Sequence, residues 1–300
     1  MNELVMTGLD GANPLGFLAA LGVLEAVHAH GAHGQDARLH FRNDGGWRPI
    51  LTEFDGDLDE LIDWLDQDRA SCMKEPALDL QYDGKRDLKP RPDKFRDYLE
   101  QLVEGADIKR RRGVDWASCF ATDVAVDNKG KTKPTALHFA AGQQQFLKMT
   151  AELMEKTTPE RFGEALIGPW RYDSKLAVMG WDATSCRDYA LRASDPSKEK
   201  LGVPGADWLA LRGLTFFPAF PVKTRVLTTG CEGRWKSGRF RWGVWTVPLS
   251  RDVIRAVVPL DLVGMGRQER DARGFGAVFS CGIKRSDQGG YGSFEPATVV

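Results

Sequence analysis

A nearly uncharged run close to the start of the sequence constrains the fold more than any other feature. Residues 15–27, LGFLAALGVLEAV, are apolar or small apart from Glu25. Asn13 is a good N-cap, and Pro14 suits the first helical turn because that position needs no amide hydrogen. The pattern predicts a helix that is apolar on all sides, and such a helix is buried in a protein core or a membrane.

The length and flanks of this run favour a protein core. About twenty apolar residues are needed to cross a bilayer, and this run is shorter. A secretory signal starts with positive charge, whereas Glu3 and Asp10 precede the run. We therefore expect a central core helix in a cytoplasmic protein with no membrane partner. Gly16 and Gly22 would let another backbone approach this helix closely.

Histidines follow the helix at positions 28, 30 and 33. Imidazole is a common metal ligand. However, His28 and His30 would point to different sides of a helix, and no cysteine or carboxylate cluster accompanies them. A histidine near a helix C-terminus is also favoured by the helix dipole alone. We expect no metal site here, and we expect His28, His30 and His33 to be incidental.

Charge and cysteine usage restrict the class of protein. The formal net charge is −1 over 300 residues, so a nucleic-acid surface would have to be a local patch. The five cysteines, at 72, 119, 186, 231 and 281, form no CxxC pair. This usage predicts reduced thiols in a cytosol rather than a disulfide framework or a zinc knuckle.

Acidic residues are concentrated between 53 and 68. The stretch FDGDLDELIDWLDQD repeats Leu58, Leu61 and Leu65 at helical spacing, with the acids on the outer face. A solvated helix face is favoured over a metal site for such a run. The same face could also meet a basic protein partner.

Cations are concentrated in three segments. The first is IKRRRG, with four cations at 109–112. A charged loop and a phosphate-contacting loop explain this segment equally well. The second is DNKGKTKP, which forms a basic loop at 127–134. Six cations and one acid lie between 223 and 241. There RFRWGVWTV puts Phe240 and Trp242 on one strand face and two arginines on the other. Basic side chains beside aromatics suit a nucleic-acid backbone and its exposed bases.

A helix is predicted over residues 137–156, LHFAAGQQQFLKMTAELMEK, because Phe146, Met149 and Leu153 repeat at helical spacing. The triple GQQQ at 142–145 lies near its start. Amide side chains offer donors and acceptors together, which suits recognition of bases or backbone, although an ordinary helix surface would look the same.

The second half of the sequence turns towards β-structure from about residue 208, with aromatic and β-branched segments broken by glycine and proline. We predict an α+β fold of two regions. Residues 1–160 form a mixed α/β region with the buried N-terminal helix and basic loops. Residues 161–300 form a loop-rich and then β-rich region of antiparallel, basic–aromatic strands.

Familiar catalytic motifs do not occur: the sequence has no GxxxxGK[ST], GxGxxG, GxSxG or HExxH. Cys186 has no histidine nearby in sequence. Asp173, Asp182 and Asp188 could form an acidic metal site, but interleaved arginines and lysines favour salt bridges. We therefore predict a non-catalytic protein without metal or cofactor. A metal-dependent nuclease using these aspartates is the alternative.

The run NPLGFLAALGVLEAV, after a short strand, resembles the N-terminal signature of large-subunit and accessory proteins of type I CRISPR effector (Cascade) complexes. It is nearest the I-G group, formerly called I-U. The stretches GFGAVFSCGIKRSDQGGYGSF at 274–294 and RDYALRASDPS at 187–197 are consistent with that group. The family has no universal catalytic triad to transfer.

The resemblance implies a non-catalytic subunit of an RNA-guided complex in antiviral defence. The guide crRNA would read sequence by base pairing, while the protein would hold the backbone and read the protospacer-adjacent motif. The partners expected are crRNA, target DNA, other subunits of the complex and a helicase-nuclease; a pure protein-interaction subunit is a further alternative. The residues expected to contact nucleic acid are Lys109, Arg110, Arg111, Arg112, Lys129, Lys131, Lys133, Gln143, Gln144, Lys223, Arg225, Arg234, Lys236, Arg239, Arg241, Lys284 and Arg285.

Overall fold

Helices and antiparallel strands make up the computed structural model, which describes residues 3–30, 34–107, 111–176, 178–183, 201–285 and 292–300. The predicted α+β class is confirmed. The helices are α1 (Pro14–His28), α2 (Leu58–Ser71), α3 (Pro92–Glu104), α4 (Arg112–Phe120), α5 (Phe146–Lys156), α6 (Pro159–Ile167), α7 (Pro204–Gly213), α8 (Arg251–Val257) and α9 (Arg267–Ala272). The strands are β1 (Leu4–Val5), β2 (Arg38–Asn43), β3 (Trp47–Thr52), β4 (Gln81–Tyr82), β5 (Lys85–Arg86), β6 (Ala121–Val126), β7 (Thr132–Pro134), β8 (Ala219–Val222), β9 (Arg225–Thr228), β10 (Cys231–Arg234), β11 (Ser237–Trp245), β12 (Leu249–Ser250), β13 (Phe275–Arg285), β14 (Gly292–Phe294) and β15 (Thr298–Val299).

Helix α1 lies at the centre of the core. The Asn13 side chain caps it by accepting a hydrogen bond from the Leu15 amide at 2.9 Å. Residues 14–27 are all buried, Glu25 included. The prediction of a core helix that is apolar on all sides is confirmed, and its charged residue is buried because Arg251 of α8 pairs with it at 2.7 Å.

Helices α1 and α7 meet backbone to backbone. A Cβ atom added at Gly22 would lie 1.7 Å from the carbonyl oxygen of Leu209, and one added at Gly213 would lie 2.0 Å from that of Leu18. Each helix therefore presents a glycine to the backbone of the other, and no larger residue fits either position without movement. The close approach predicted at Gly22 is confirmed.

Two antiparallel sheets flank these helices. The first has the order β1-β3-β2-β12, so β12 completes a sheet whose other strands come from the first 52 residues. The second runs β10-β11-β13-β14, with β15 also paired to β13. The remaining strands form three hairpins, β4–β5, β6–β7 and β8–β9.

Strand β11 ties the second sheet to the rest of the molecule. Phe240 and Trp242 are buried and Arg239 is exposed on the opposite face, as the alternation predicts. The Trp242 indole donates to the Gly11 carbonyl at 2.7 Å, and that of Trp245 donates to the Leu39 carbonyl at 2.6 Å. Buried residues on both sides of residue 160 therefore belong to one core cluster.

The acidic helix predicted from residues 54–68 is α2, and its first turn is a capping box formed by Asp57 and Glu60. Most of its acids are exposed, as predicted. Asp68 differs because it is buried against the fully buried Arg212 of α7, with Nε and Oδ2 2.8 Å apart. The pair joins α2 to the helix that packs on α1.

The helix predicted over residues 137–156 begins only at Phe146, so the prediction is wrong for its first nine residues. Gly142 has a φ of +62°, a left-handed conformation that a helix does not contain. The Phe146 amide donates instead to the Asp87 carboxylate at 2.9 Å, and this bond fixes the helix start.

Candidate nucleic-acid interface

A cleft of about 580 Å³ lies among the hairpin β6–β7, strand β9, the turn between β10 and β11, and the end of β13. Five cations line it, against two acids. The cations are Lys89, Lys133, Arg225, Arg234 and Arg285, and the acids are Asp127 and Glu232. Because the whole chain is close to neutral, this cleft is a local cationic surface.

A tight turn between β6 and β7 positions the side of the cleft that this hairpin forms. The Asp127 carboxylate accepts hydrogen bonds from the amides of Lys129 and Lys131, at 2.8 and 3.0 Å, and Gly130 supplies a positive φ. An aspartate that bonds its following amides in this way favours a tight turn. Lys133 then reaches the β8–β9 hairpin, where its Nζ donates to the Thr224 carbonyl at 2.7 Å. The two hairpins are thereby joined at the cleft.

Arg285 is buried beside the cleft without a carboxylate partner among the described residues. Its guanidinium donates to the carbonyls of Trp235, His138 and Ala136 at 3.1, 2.9 and 2.7 Å. Burial lowers the pKa of Arg285 to about 10, so the group stays charged at neutral pH. A charge held only by neutral carbonyls adds positive potential to the cleft.

Trp235 lies over this guanidinium, with the Arg285 Cζ 3.6 Å from the ring centre. The residue still has 46% of its surface exposed. Arginine stacks on aromatic faces in this manner because the planar cation is attracted by the ring electrons. The result is an exposed indole whose position is fixed by a buried cation.

Lys89 is a further cation of the cleft that the sequence interpretation missed. It is half-buried, and burial lowers the pKa of its ammonium group, opposed by the charge of Asp87. A single lysine within a proline-bearing loop gives no pattern in sequence. Trp235 was also missed, although its place between Arg234 and Lys236 in RWK carried a signal.

Several predicted residues are brought together in or beside the cleft. Lys133, Arg225, Arg234 and Arg285 line it. Lys129 is exposed in the β6–β7 turn, Lys131 lies 6.0 Å from the ring centre of Tyr82, and Lys223 is exposed at the tip of the β8–β9 hairpin. Gln143 and Gln144 occupy an exposed turn that follows Ala141, a residue of the cleft wall.

A second group of predicted residues lies on or near the outer face of the second sheet. Arg239 is exposed there, and the Nη1 of Arg241 donates to Glu232 at 2.7 Å. Lys284 pairs with Glu295 at 3.3 Å, and Lys236 is exposed in the β10–β11 turn. Of the two cleft acids, Glu232 is therefore neutralised by an arginine from this outer face.

The two described arginines of the basic segment 109–112, Arg111 and Arg112, do not line the cleft. Arg111 pairs with Asp115 at 2.9 Å, and Arg112 pairs with Glu75 at 2.9 Å and lines a separate cleft beside Tyr98. Lys109 and Arg110 lie outside the described residues. For the two described arginines, the structure thus supports a role in ion pairs within the fold.

Two of the three aspartates proposed for a nuclease are described, and these two have separate partners. Asp173 pairs with Arg161 at 2.6 Å and also with the interleaved Arg171 at 3.8 Å, the kind of partner that the salt-bridge interpretation predicts. Asp182 accepts hydrogen bonds from the side chains of Asn13 and Tyr172 at 2.9 and 2.8 Å. Asp188 and Cys186 lie outside the described residues. Within the ranges given above, no group of three or more His, Cys, Asp or Glu side chains is placed to hold a metal ion.

The described histidines after α1 have ordinary surroundings. His30 stacks on Trp64, with ring centres 4.5 Å apart, and its Nε2 lies 3.2 Å from the Trp64 carbonyl oxygen. His28 ends α1, and burial lowers the pKa of its imidazole. His33 lies outside the described residues.

No protein-family model matches this sequence, and no curated protein matches it. In the part of the chain that the structure describes, no helix has the length and apolar character needed to span a bilayer.

Proposed function

We propose that this protein is a non-catalytic, cytoplasmic subunit of an RNA-guided type I CRISPR surveillance complex, and that its cleft contacts nucleic-acid backbone. The observation that carries the proposal is the cleft itself, where five cations and two acids meet in a near-neutral chain. Cations that neutralise phosphates release condensed counterions, and this release drives binding.

The placement of the basic segments favours this function over a pure protein-interaction subunit. In an interaction subunit, the basic loops would have no reason to share one surface. Here, cations from the loop at 127–134, the strands at 223–241 and the end of β13 line the same cleft. Only the segment at 109–112 contributes none of its described residues to it.

The assignment to a CRISPR complex is supported by the resemblance of the N-terminal run NPLGFLAALGVLEAV to subunits of type I effector complexes. The crRNA reads the target by base pairing, and this subunit holds the backbone of crRNA or target DNA. Gln143 and Gln144, exposed next to the cleft wall, are the residues we assign to reading the protospacer-adjacent motif. Other subunits of the complex and a helicase-nuclease that cuts the target complete the set of partners.

Binding across a salt series tests the backbone contact. The double variant Arg225→Ala, Arg234→Ala should weaken binding on all sequences. The negative slope of log K against log salt should also become shallower by roughly 1.4 to 1.8, because each lost contact accounts for about 0.7 to 0.9. Arg267→Ala, which removes an exposed arginine outside the cleft, is the matched control. Unchanged affinity and slope in the double variant would contradict the proposal.

The CRISPR assignment has its own test. Purification of the tagged protein from its natural source should recover short RNAs with uniform, repeat-derived ends, together with further effector subunits. Absence of both would refute the assignment while leaving nucleic-acid binding in place. Incubation with DNA or RNA and Mg²⁺ should give no cleavage, and cleavage abolished by Asp182→Ala would establish the nuclease alternative.

A further inference from the structure

The indole of Trp235 forms a platform inside the cationic cleft. Its ring is held by Arg285 at 3.6 Å, and Arg285 is held in turn by three backbone carbonyls. Exposed aromatics on mobile side chains lose rotamer freedom on binding, whereas this one is ordered in advance. Its remaining exposed surface, 46% of the residue, is large for a tryptophan in a protein with a buried core.

Two further cations line the cleft together with this platform. Arg234 precedes Trp235 directly in the chain, and Arg225 lies on β9, also in the cleft wall. Neither side chain forms an ion pair with an acid of the described residues. Both acids of the cleft are already engaged, since Glu232 pairs with Arg241 and Asp127 accepts two backbone amides. Because five cations line the cleft against two acids, the net charge of its lining is positive.

We propose that the cleft binds single-stranded nucleic acid, with one unpaired base stacked on Trp235 and the flanking phosphates at Arg225 and Arg234. This inference rests on the proposed function and specifies the form of nucleic acid that the cleft accepts.

An unpaired strand fits these features better than a duplex does. In a duplex both faces of each base are covered by its neighbours, whereas an unpaired base has a free face for an aromatic side chain. The cleft volume of about 580 Å³ lies within the range of roughly 300 to 1,000 Å³ that encloses small organic ligands. It can therefore accommodate a base and its sugar. Since every base has a stacking face, the platform tolerates any sequence.

The test compares labelled oligonucleotides on the purified full-length protein. The probes are a twelve-nucleotide strand in DNA and RNA versions, the same DNA strand with abasic positions, and the corresponding duplex. Trp235→Leu should weaken binding of the intact strand by about fivefold to 150-fold, the range for one base stacked on an aromatic side chain. Trp235→Phe should retain most of the wild-type affinity, because it keeps an aromatic face. The salt slope should not change in either variant, because no charge is removed.

The abasic strand makes the test independent of any variant. It keeps every phosphate, so the wild-type protein should bind it about as weakly as Trp235→Leu binds the intact strand. If the abasic and intact strands bind equally well, or if the strand and the duplex do, the stacking proposal is overturned. The proposed function would still stand in that case, provided that binding depends on salt. Loss of all salt-dependent binding would instead refute the proposed function. If a mononucleotide binds the cleft as tightly as the strand does, the cleft is a site for a free nucleotide and the inference is overturned.

Discussion

Replacing Gly22 by alanine should separate the two helices at the centre of the core. The added Cβ would lie 1.7 Å from the Leu209 carbonyl oxygen, whereas ordinary contact begins near 3.4 Å. Helix α7 must therefore move away by roughly 1.7 Å. Neither atom belongs to a flexible side chain, so no rotamer change relieves the clash.

The loss of stability follows from the packing contacts that are lost when the two helices separate. Overpacking a core costs about 1 to 3 kcal/mol, and a gap of 0.5 to 1 Å forfeits a quarter to a half of each dispersion contact across it. Since α1 is buried along its length, we expect the free energy of unfolding to fall by at least about 3 kcal/mol. Gly213→Ala forces the same separation, so the double variant should cost less than the sum of the single variants.

Urea unfolding followed by circular dichroism measures these differences. Gly163→Ala is the matched control, because this helical glycine of α6 has only the Ile62 Cδ1 nearby, at 3.6 Å. Alanine there should raise stability by about 0.5 to 1 kcal/mol through reduced backbone entropy of the unfolded chain. A free energy of unfolding for Gly22→Ala within about 0.5 kcal/mol of the wild type would contradict this expectation. A change of stability in the same direction for Gly22→Ala and Gly163→Ala would also contradict it.

Two further predictions concern charge in the core. Leu18→Asp should destabilise the fold by more than about 4 kcal/mol in the same urea assay, because it buries an unpaired carboxylate, whereas His30→Ala at the helix end should cost far less. Burial alone would raise the pKa of Glu25, but the hydrogen bonds from Arg251 and the charges of nearby arginines more than offset it and bring the pKa to about 2. A lowered folded-state pKa contributes stability above the unfolded value of 4.5, so about 3 kcal/mol should be lost as pH falls from 5 towards 2. Glu25→Gln should flatten this stretch of the stability–pH curve, and an unchanged curve would contradict the assignment.

Local patterns predicted the elements that depend on local chemistry. The cap at Asn13, the apolar run after it and the alternation around Phe240 each reflect neighbours in sequence, and the structure confirms all three. The helix start at Phe146 was missed because it depends on Asp87, 59 positions away, and on the backbone conformation of Gly142. Helical spacing carries no information about either.

The cleft was only partly predictable for the same reason. Positive charge identified Arg225 and Arg234, but charge alone does not distinguish an exposed arginine from one with an internal partner. Arg112 pairs with Glu75, 37 positions away, and Arg285 is buried against carbonyls from two other segments. Lys89 reaches the cleft only through tertiary packing.

Strand β12 delays completion of the N-terminal sheet while the protein is being synthesised. The sheet that contains β1, β2 and β3 gains its fourth strand from residues 249–250, and the Trp245 indole donates to a carbonyl of β2 across 206 positions. A ribosome releases residue 250 long after it has released residue 52, so the N-terminal sheet stays incomplete while the residues between them are made. Contacts of such long sequence separation slow folding, because loop closure must precede the contacts that stabilise it. Until then the nascent chain carries an open edge at β2 and an apolar helix not yet covered by α7, and both are surfaces prone to aggregation.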